Sequence, residues 1–254
     1  MKLINTTAAI FATAGFIGVS SADVIGIDNR NGYDADTLLG SGSDFSQFRA
    51  VIASMGHTIV MVTDYTNLAG IDALIAQNPH APDQEYSAGE MASINTFVAS
   101  GHGMLALGEA GGDSSDHLPN MNQMVNSFGA AFTLPELNGH GLIVDEFESH
   151  AVTQGVSQVG IDYYRKVAVS GNTMDLTGDT SDFLAALDGT AGAGNTVFLG
   201  DISLWKDPGT GSDYGITDFG NELLLRNIIG YTVPAPSSLA LLAGTALITR
   251  RRRG

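Results

Sequence analysis

The sequence predicts a three-layer α/β domain with a mainly parallel central sheet over residues 23–233. It expects an N-terminal signal helix (1–22) before that body and a C-terminal apolar sorting helix (234–254) after it. Three observations carry this reading. Short, continuous apolar runs recur through the body, bounded by Gly or acidic residues, as strands buried on both faces are. Segments of helical spacing stand between them and join the next strand through a single Gly, which is the joint of a doubly wound unit. Both ends of the chain are apolar segments with basic termini, set against an acidic body.

Val24-Ile-Gly-Ile-Asp28 reads as the first buried strand, ending on an acid. Asp44 is placed to cap a helix through Phe45, Phe48, Val51, Ile52 and Met55, which Gly56 ends. Thr58 to Thr63 is a β-branched strand, and Ala73-Leu-Ile75 a short one. Ser87 and Glu90 form a capping box for a helix carrying Met91, Ile94, Phe97 and Val98, closed by Gly101. Gly103–Gly108 is the next buried strand, and Met121–Phe128 reads as helical. Gly141–Val144, Lys166–Val169 and Asn195–Gly200 read as strands. The last helix spans Asn221–Tyr231, with Leu223, Leu224, Ile228 and Ile229 facing inward.

The ends read as addresses. Met1-Lys2, the apolar stretch Ala8–Val19 and the small residues Ser20-Ser21-Ala22 have the order of a secretory signal, with cleavage expected between Ala22 and Asp23. At the other end, Pro234-Ala-Pro236 leads into an apolar run of about a dozen residues and then Arg250, Arg251, Arg252 and Arg253. This layout resembles the PEP-CTERM sorting signal of bacterial secreted proteins. Ala235 stands where that signal has Glu, and the apolar run is shorter than the roughly 20 residues that span a bilayer. The resemblance implies export, handling by protein-sorting and secretion machinery, and membrane contact through the tail before processing.

Charge narrows the partners. All 27 acidic residues lie in the body, whereas five of the 11 basic ones lie in the two ends, which leaves the body at −21. No nucleic acid partner is expected, because phosphate recognition needs clustered Lys and Arg. The absence of cysteine excludes disulfides, thiolate nucleophiles and thiolate-bound metals.

Ser87–Gly108, Ser149-His-Ala-Val-Thr-Gln-Gly-Val156, Asn195–Asp201 and Gly220–Asn227 together resemble class I glutamine-amidotransferase-like domains, and in particular their trehalose-utilisation-like members. The resemblance covers about two thirds of the body and implies a flavodoxin-like order of elements. It also implies a nucleophilic Cys on the turn after Gly103–Leu107, where this chain has Gly108-Glu109-Ala-Gly-Gly112. Glutaminase chemistry is therefore excluded, and the fold carries over without the catalysis. The Gly-x-Ser-x-Gly, P-loop and His-Glu-x-x-His motifs are also absent.

What remains is a set of acids. Asp28, Glu109 and Asp201 follow strands directly, at the edge where open α/β sheets bind ligands, and Asp113 and Asp116 lie just beyond Glu109. Three readings stay open: solvated loop acids, a Ca²⁺ site, or general acid–base groups acting with His150. His150 is either a crevice contact or a ring that caps a turn, and His102 is read as a surface residue. Trp205 and Tyr214, in a Gly-rich loop after the last strand, make either a sugar-binding platform or, for Trp205, a core plug. The leading expectation is an exported, non-catalytic binding module needing no cofactor, with extracellular polysaccharide or protein as partner. A carbohydrate-related hydrolase or isomerase and a calcium-stabilised domain are the alternatives.

Overall fold

The computed structural model describes residues 23–28, 44–77, 86–108, 118–133, 141–162, 164–179, 181–190 and 192–233. The segments read as a signal (1–22) and as a sorting tail (234–254), and residues 109–117 with Glu109, Asp113 and Asp116, lie outside them. The central sheet is built from β1 (Val24–Asp28), β2 (Thr58–Val62), β3 (Ala73–Gln77), β4 (Gly103–Leu107), β9 (Met174–Asp175), β10 (Leu184–Leu187) and β11 (Thr196–Leu199). Their order is β2-β1-β3-β4-β11-β10-β9. The first five in that order run parallel, while β10 is antiparallel to β11 and β9 antiparallel to β10. The sheet is thus mainly parallel, as the sequence predicts, with an antiparallel margin.

Side-chain alternation divides the core into two layers, one on each face. Ile25, Ile27, Ile75, Leu105, Leu107, Val197 and Leu199 point to one side, and Leu74, Met104, Ala106 and Phe198 to the other. Helices α1 (Ser46–Ser54) and α4 (Asn221–Thr232) cover the first face, and α2 (Ala88–Ala99) and α3 (Leu118–Val125) the second. Two antiparallel ribbons complete these layers: β6 (Leu142–Val144) with β7 (Val159–Ile161), and β5 (Ala130–Phe132) with β8 (Val167–Val169). The predicted strands at 141–144 and 166–169 therefore exist but lie outside the central sheet. Their exposed Ile143 and Val169 explain why, since a strand wet on one face suits a ribbon rather than a sheet buried on both.

Helix ends show where local reading works. The Ser87–Glu90 capping box is fully formed: Glu90 N–H donates to Ser87 Oγ, and Ser87 N–H donates to Glu90 Oε2 at 2.8 Å. Helix α1 is different. Asp44 does not cap it; Asp207, from the loop after β11, accepts from the N–H groups of Ser46 (3.0 Å) and Gln47 (2.9 Å). Asp207→Ala should lower the unfolding free energy by about 1 kcal/mol in a urea titration. An unchanged midpoint would remove Asp207 from the cap. In α4 the inward face holds Leu224, Leu225, Ile228 and Ile229, whereas Leu223, expected inside, is exposed.

Candidate functional site

The switch in strand order falls between β1 and β3, because the chain winds outward from this pair in both directions. Asp28 ends β1 and Gln77 ends β3, and both are buried. Gln77 Nε2 donates to the Asp28 carbonyl at 3.2 Å, and the Tyr86 hydroxyl donates to the Gln77 carbonyl at 2.9 Å. The Tyr65 ring meets Tyr86 edge to face, with centroids 5.3 Å apart. Burial first, then the neighbouring Tyr86 and Asp28, push the Tyr65 hydroxyl well above its ordinary pKa. The ends of β1 and β3 at Asp28 and Gln77 are thus enclosed by the protein's own side chains. Gln77, Tyr65 and Tyr86 were not anticipated; the one local signal was a polar residue closing the apolar run at Gln77.

Asp201 lies on the same edge but three strands away, about 14 Å at the usual strand spacing. It is fully buried, and both its oxygens accept backbone N–H groups, from Asp162 at 2.7 Å and Ser203 at 2.6 Å. Asp162 is buried beside it and accepts from Ser212 Oγ and Asp213 N–H, both at 3.3 Å. This pair ties β7, the turn after β11 and the 206–220 loop together. Burial pushes the Asp201 carboxyl up to about 7, the charge of Asp162 adds to this, and the two backbone donors oppose it.

A carboxyl whose pKa is raised on folding binds its proton more tightly in the native state. Its contribution to stability is therefore greatest below the unfolded carboxylate range near 4, falls as pH rises towards 7, and levels off above. The expected slope between pH 5 and 7 is at most about 1.4 kcal/mol per pH unit. Urea midpoints across that range should fall with pH in the wild type and flatten in Asp201→Asn. Parallel slopes would show that Asp201 does not carry the effect.

His150 does not join these acids. Its Nε2 lies 3.2 Å from Asp188, which also accepts from the Tyr231 hydroxyl, and its Nδ1 accepts from Val152 N–H at 3.2 Å. Asp188 follows Leu187, which pairs with Thr196 at the start of β11, whereas Asp201 lies past the end of that strand. The two residues therefore sit on opposite edges of the sheet, roughly 13 Å of strand apart. The ring caps a turn, and its partners staple the 147–156 loop to α4. The structure thus does not bring Asp201 and His150 together.

Trp205 is likewise not a platform. It is fully buried, its Nε1 donates to the Asn221 carbonyl at 3.2 Å, and its ring packs on Phe48 at 5.4 Å. His102 is half-buried and stacks on Phe97 with ring centroids 4.5 Å apart. Among the described residues, no three His, Cys, Asp or Glu side chains gather in a way that could hold a metal ion. Among them, too, no helix is long and apolar enough to cross a membrane.

No protein-family model and no curated protein matches the chain. Solved structures do. The mmIFT52 N-terminal domain is similar at a TM-score of 0.65 and 14% identity, over 83% of this chain and 98% of that one. A ThuA-like protein from Bacteroides uniformis is similar at 0.54 and 15% identity, over 89% and 97%. STM1381 from Salmonella typhimurium LT2, described as a cytoplasmic protein, is similar at 0.58 and 15% identity, over 84% and 100%. At such identities the likeness concerns the fold: this body shares the α/β architecture of ThuA-like proteins, in keeping with the amidotransferase-like resemblance of its sequence.

Proposed function

We propose that the chain is an exported, envelope-associated binding module that performs no catalysis on the strand-end acids. It would be delivered by a PEP-CTERM-type tail in which Pro234 and Pro236 form the hinge and Arg250, Arg251, Arg252 and Arg253 the cytoplasmic stop, after cleavage of the leader between Ala22 and Asp23. One observation carries the non-catalytic reading. Both oxygens of Asp201 accept backbone amides, and His150 is held on the opposite edge, so neither of these two described residues stands beside the other as a proton-transfer partner. The acidic body suits an extracellular polysaccharide or protein partner rather than nucleic acid.

Fractionation of the native host tests the delivery. The full chain should leave the cytoplasm, and replacing the four terminal arginines by glutamine should change where it accumulates. Retention of the wild-type chain in the cytoplasm would overturn the reading. Turnover of glycosides by the purified protein, abolished by Asp201→Asn or Glu109→Gln with the fold intact, would favour the hydrolase instead. A rise in melting temperature in millimolar calcium would assign a cation to Asp28, Glu109, Asp113, Asp116 or Asp201, and the module as proposed needs none.

A further inference from the structure

The loop after β11 carries a second feature that the buried acids leave unexplained. Phe219 is 49% exposed, and its backbone sits at φ +47°, in the left-handed region that an aromatic residue rarely adopts. The turn around it is fixed on both sides. Gly215 N–H donates to Asp218 Oδ2 at 2.8 Å, Asn221 N–H donates to the Asp218 carbonyl at 3.1 Å, and Gly220 N–H donates to the Gln158 carbonyl at 2.9 Å. The surrounding structure thus holds a strained residue so that its ring faces solvent.

That ring meets Tyr214 edge to face, with centroids 5.3 Å apart and planes at 73°. Tyr214 is immobilised in turn. Its hydroxyl donates to the Gly141 carbonyl at 3.2 Å, and its ring lies so close over Gly160 that a Cβ there would stand 2.5 Å from Cγ. Exposed Ile143 pairs with Gly160 across the β6–β7 ribbon, and directly paired residues share a face, so Ile143 extends the same apolar surface. The Asp213 carboxylate borders it: a Cβ on Gly141 would lie 3.0 Å from Asp213 Oδ2 and 3.8 Å from the Tyr214 hydroxyl.

We propose that the Tyr214–Phe219 ring pair, with Asp213, is a glycan-binding shelf for a neutral polysaccharide. This inference rests on the reading of the domain as an exported binding module and names its ligand class. A sugar ring offers an apolar face that packs on an aromatic one, and its hydroxyls donate to a carboxylate at the rim. Rings fixed before binding lose little freedom on contact. Residues 212–220 contain Asp213 and Asp218 but no Lys or Arg, so an acidic polymer is repelled.

Native gel electrophoresis of the full chain through galactomannan, β-glucan or dextran tests the shelf, with alginate and polylysine as counter-probes. At least one neutral polysaccharide should retard the wild type, and Phe219→Gly should weaken that retardation at least tenfold. Glycine accepts φ +47° without strain, so this variant should melt at the wild-type temperature or above it, which separates loss of the ring from loss of the fold. Three results overturn the shelf: no neutral polysaccharide retards the protein, Phe219→Gly is retarded equally, or only alginate or polylysine shifts it. If fractionation shows export but the gels show no retardation, the shelf alone fails. If the chain stays in the cytoplasm, the module reading fails whatever the gels show.

Discussion

Asn221→Ala should cost about 3 kcal/mol or more of unfolding free energy. Asn221 is fully buried at the start of α4, and its Oδ1 accepts from Gly160 N–H at 3.0 Å. Its two amide hydrogens are shared among the carbonyls of Gly160 (3.1 Å), Leu204 (3.1 Å) and Gly215 (2.9 Å). One side chain therefore joins β7, the turn bearing Trp205, the loop bearing Tyr214 and the last helix. Truncation takes the side-chain partner from the buried Gly160 N–H and from the Gly160 and Leu204 carbonyls, whereas the Gly215 carbonyl keeps the Asp218 N–H at 3.0 Å. Asn221→Asp is the sharper control, because it keeps the acceptor and shape but turns a donor into a carboxylate facing three carbonyls. It should be no more stable than the alanine variant at pH 7. Urea titrations of both decide the matter, and a loss below about 1 kcal/mol in either would show that the network relaxes around the gap.

Gly200→Ala is expected to be as damaging, for a steric reason. A Cβ at Gly200 would stand 1.8 Å from the Arg165 carbonyl oxygen, which is backbone and cannot swing aside. The approach is tight because Arg165 N–H donates to the Gly200 carbonyl at 2.8 Å while Gly200 N–H donates to the Phe183 carbonyl at 2.7 Å. Relief requires Arg165 to lift off the end of β11, which strains the nearby bond from Asp162 N–H to Asp201. The expected loss is about 3 kcal/mol or more, seen as a fall in melting temperature or as failure to accumulate soluble protein. A melting temperature within 2 °C of wild type would mean that the backbone yields there.

The parts of this fold legible in the sequence are those whose cause is local. Ser87 and Glu90 cap α2 from three residues apart, and the apolar runs that open at Val24, Ala73 and Gly103 are buried on both faces because they offer no polar side before their last residue. What escaped the sequence is set by contacts between distant segments. The cap of α1 comes from Asp207, and no window around Asp44 contains it. Phe183-Leu-Ala-Ala-Leu187 was not singled out, since an alanine-rich run of this length carries neither strand nor helix period clearly; β11 makes it a strand. Leu223 and Leu225 differ by less than a turn, and the choice between them depends on where the neighbouring layer ends. The site followed the same rule. Asp28 and Asp201 lie at the carboxyl ends of strands set three apart in the sheet, and adjacency in the motif could not tell that His150 belongs to the opposite edge.

The place of β11 in the strand order has a consequence for the life of the chain before it is folded. β9 and β10 are made earlier, yet they join the sheet only through β11, which alone bridges them to β4. Until residues 196–199 arrive they can pair only with each other, and α1 lacks its cap until Asp207 follows. Pairings over such sequence separations form slowly. In a chain built this way the antiparallel margin can join the parallel strands β2-β1-β3-β4 only after residue 199 has been synthesised.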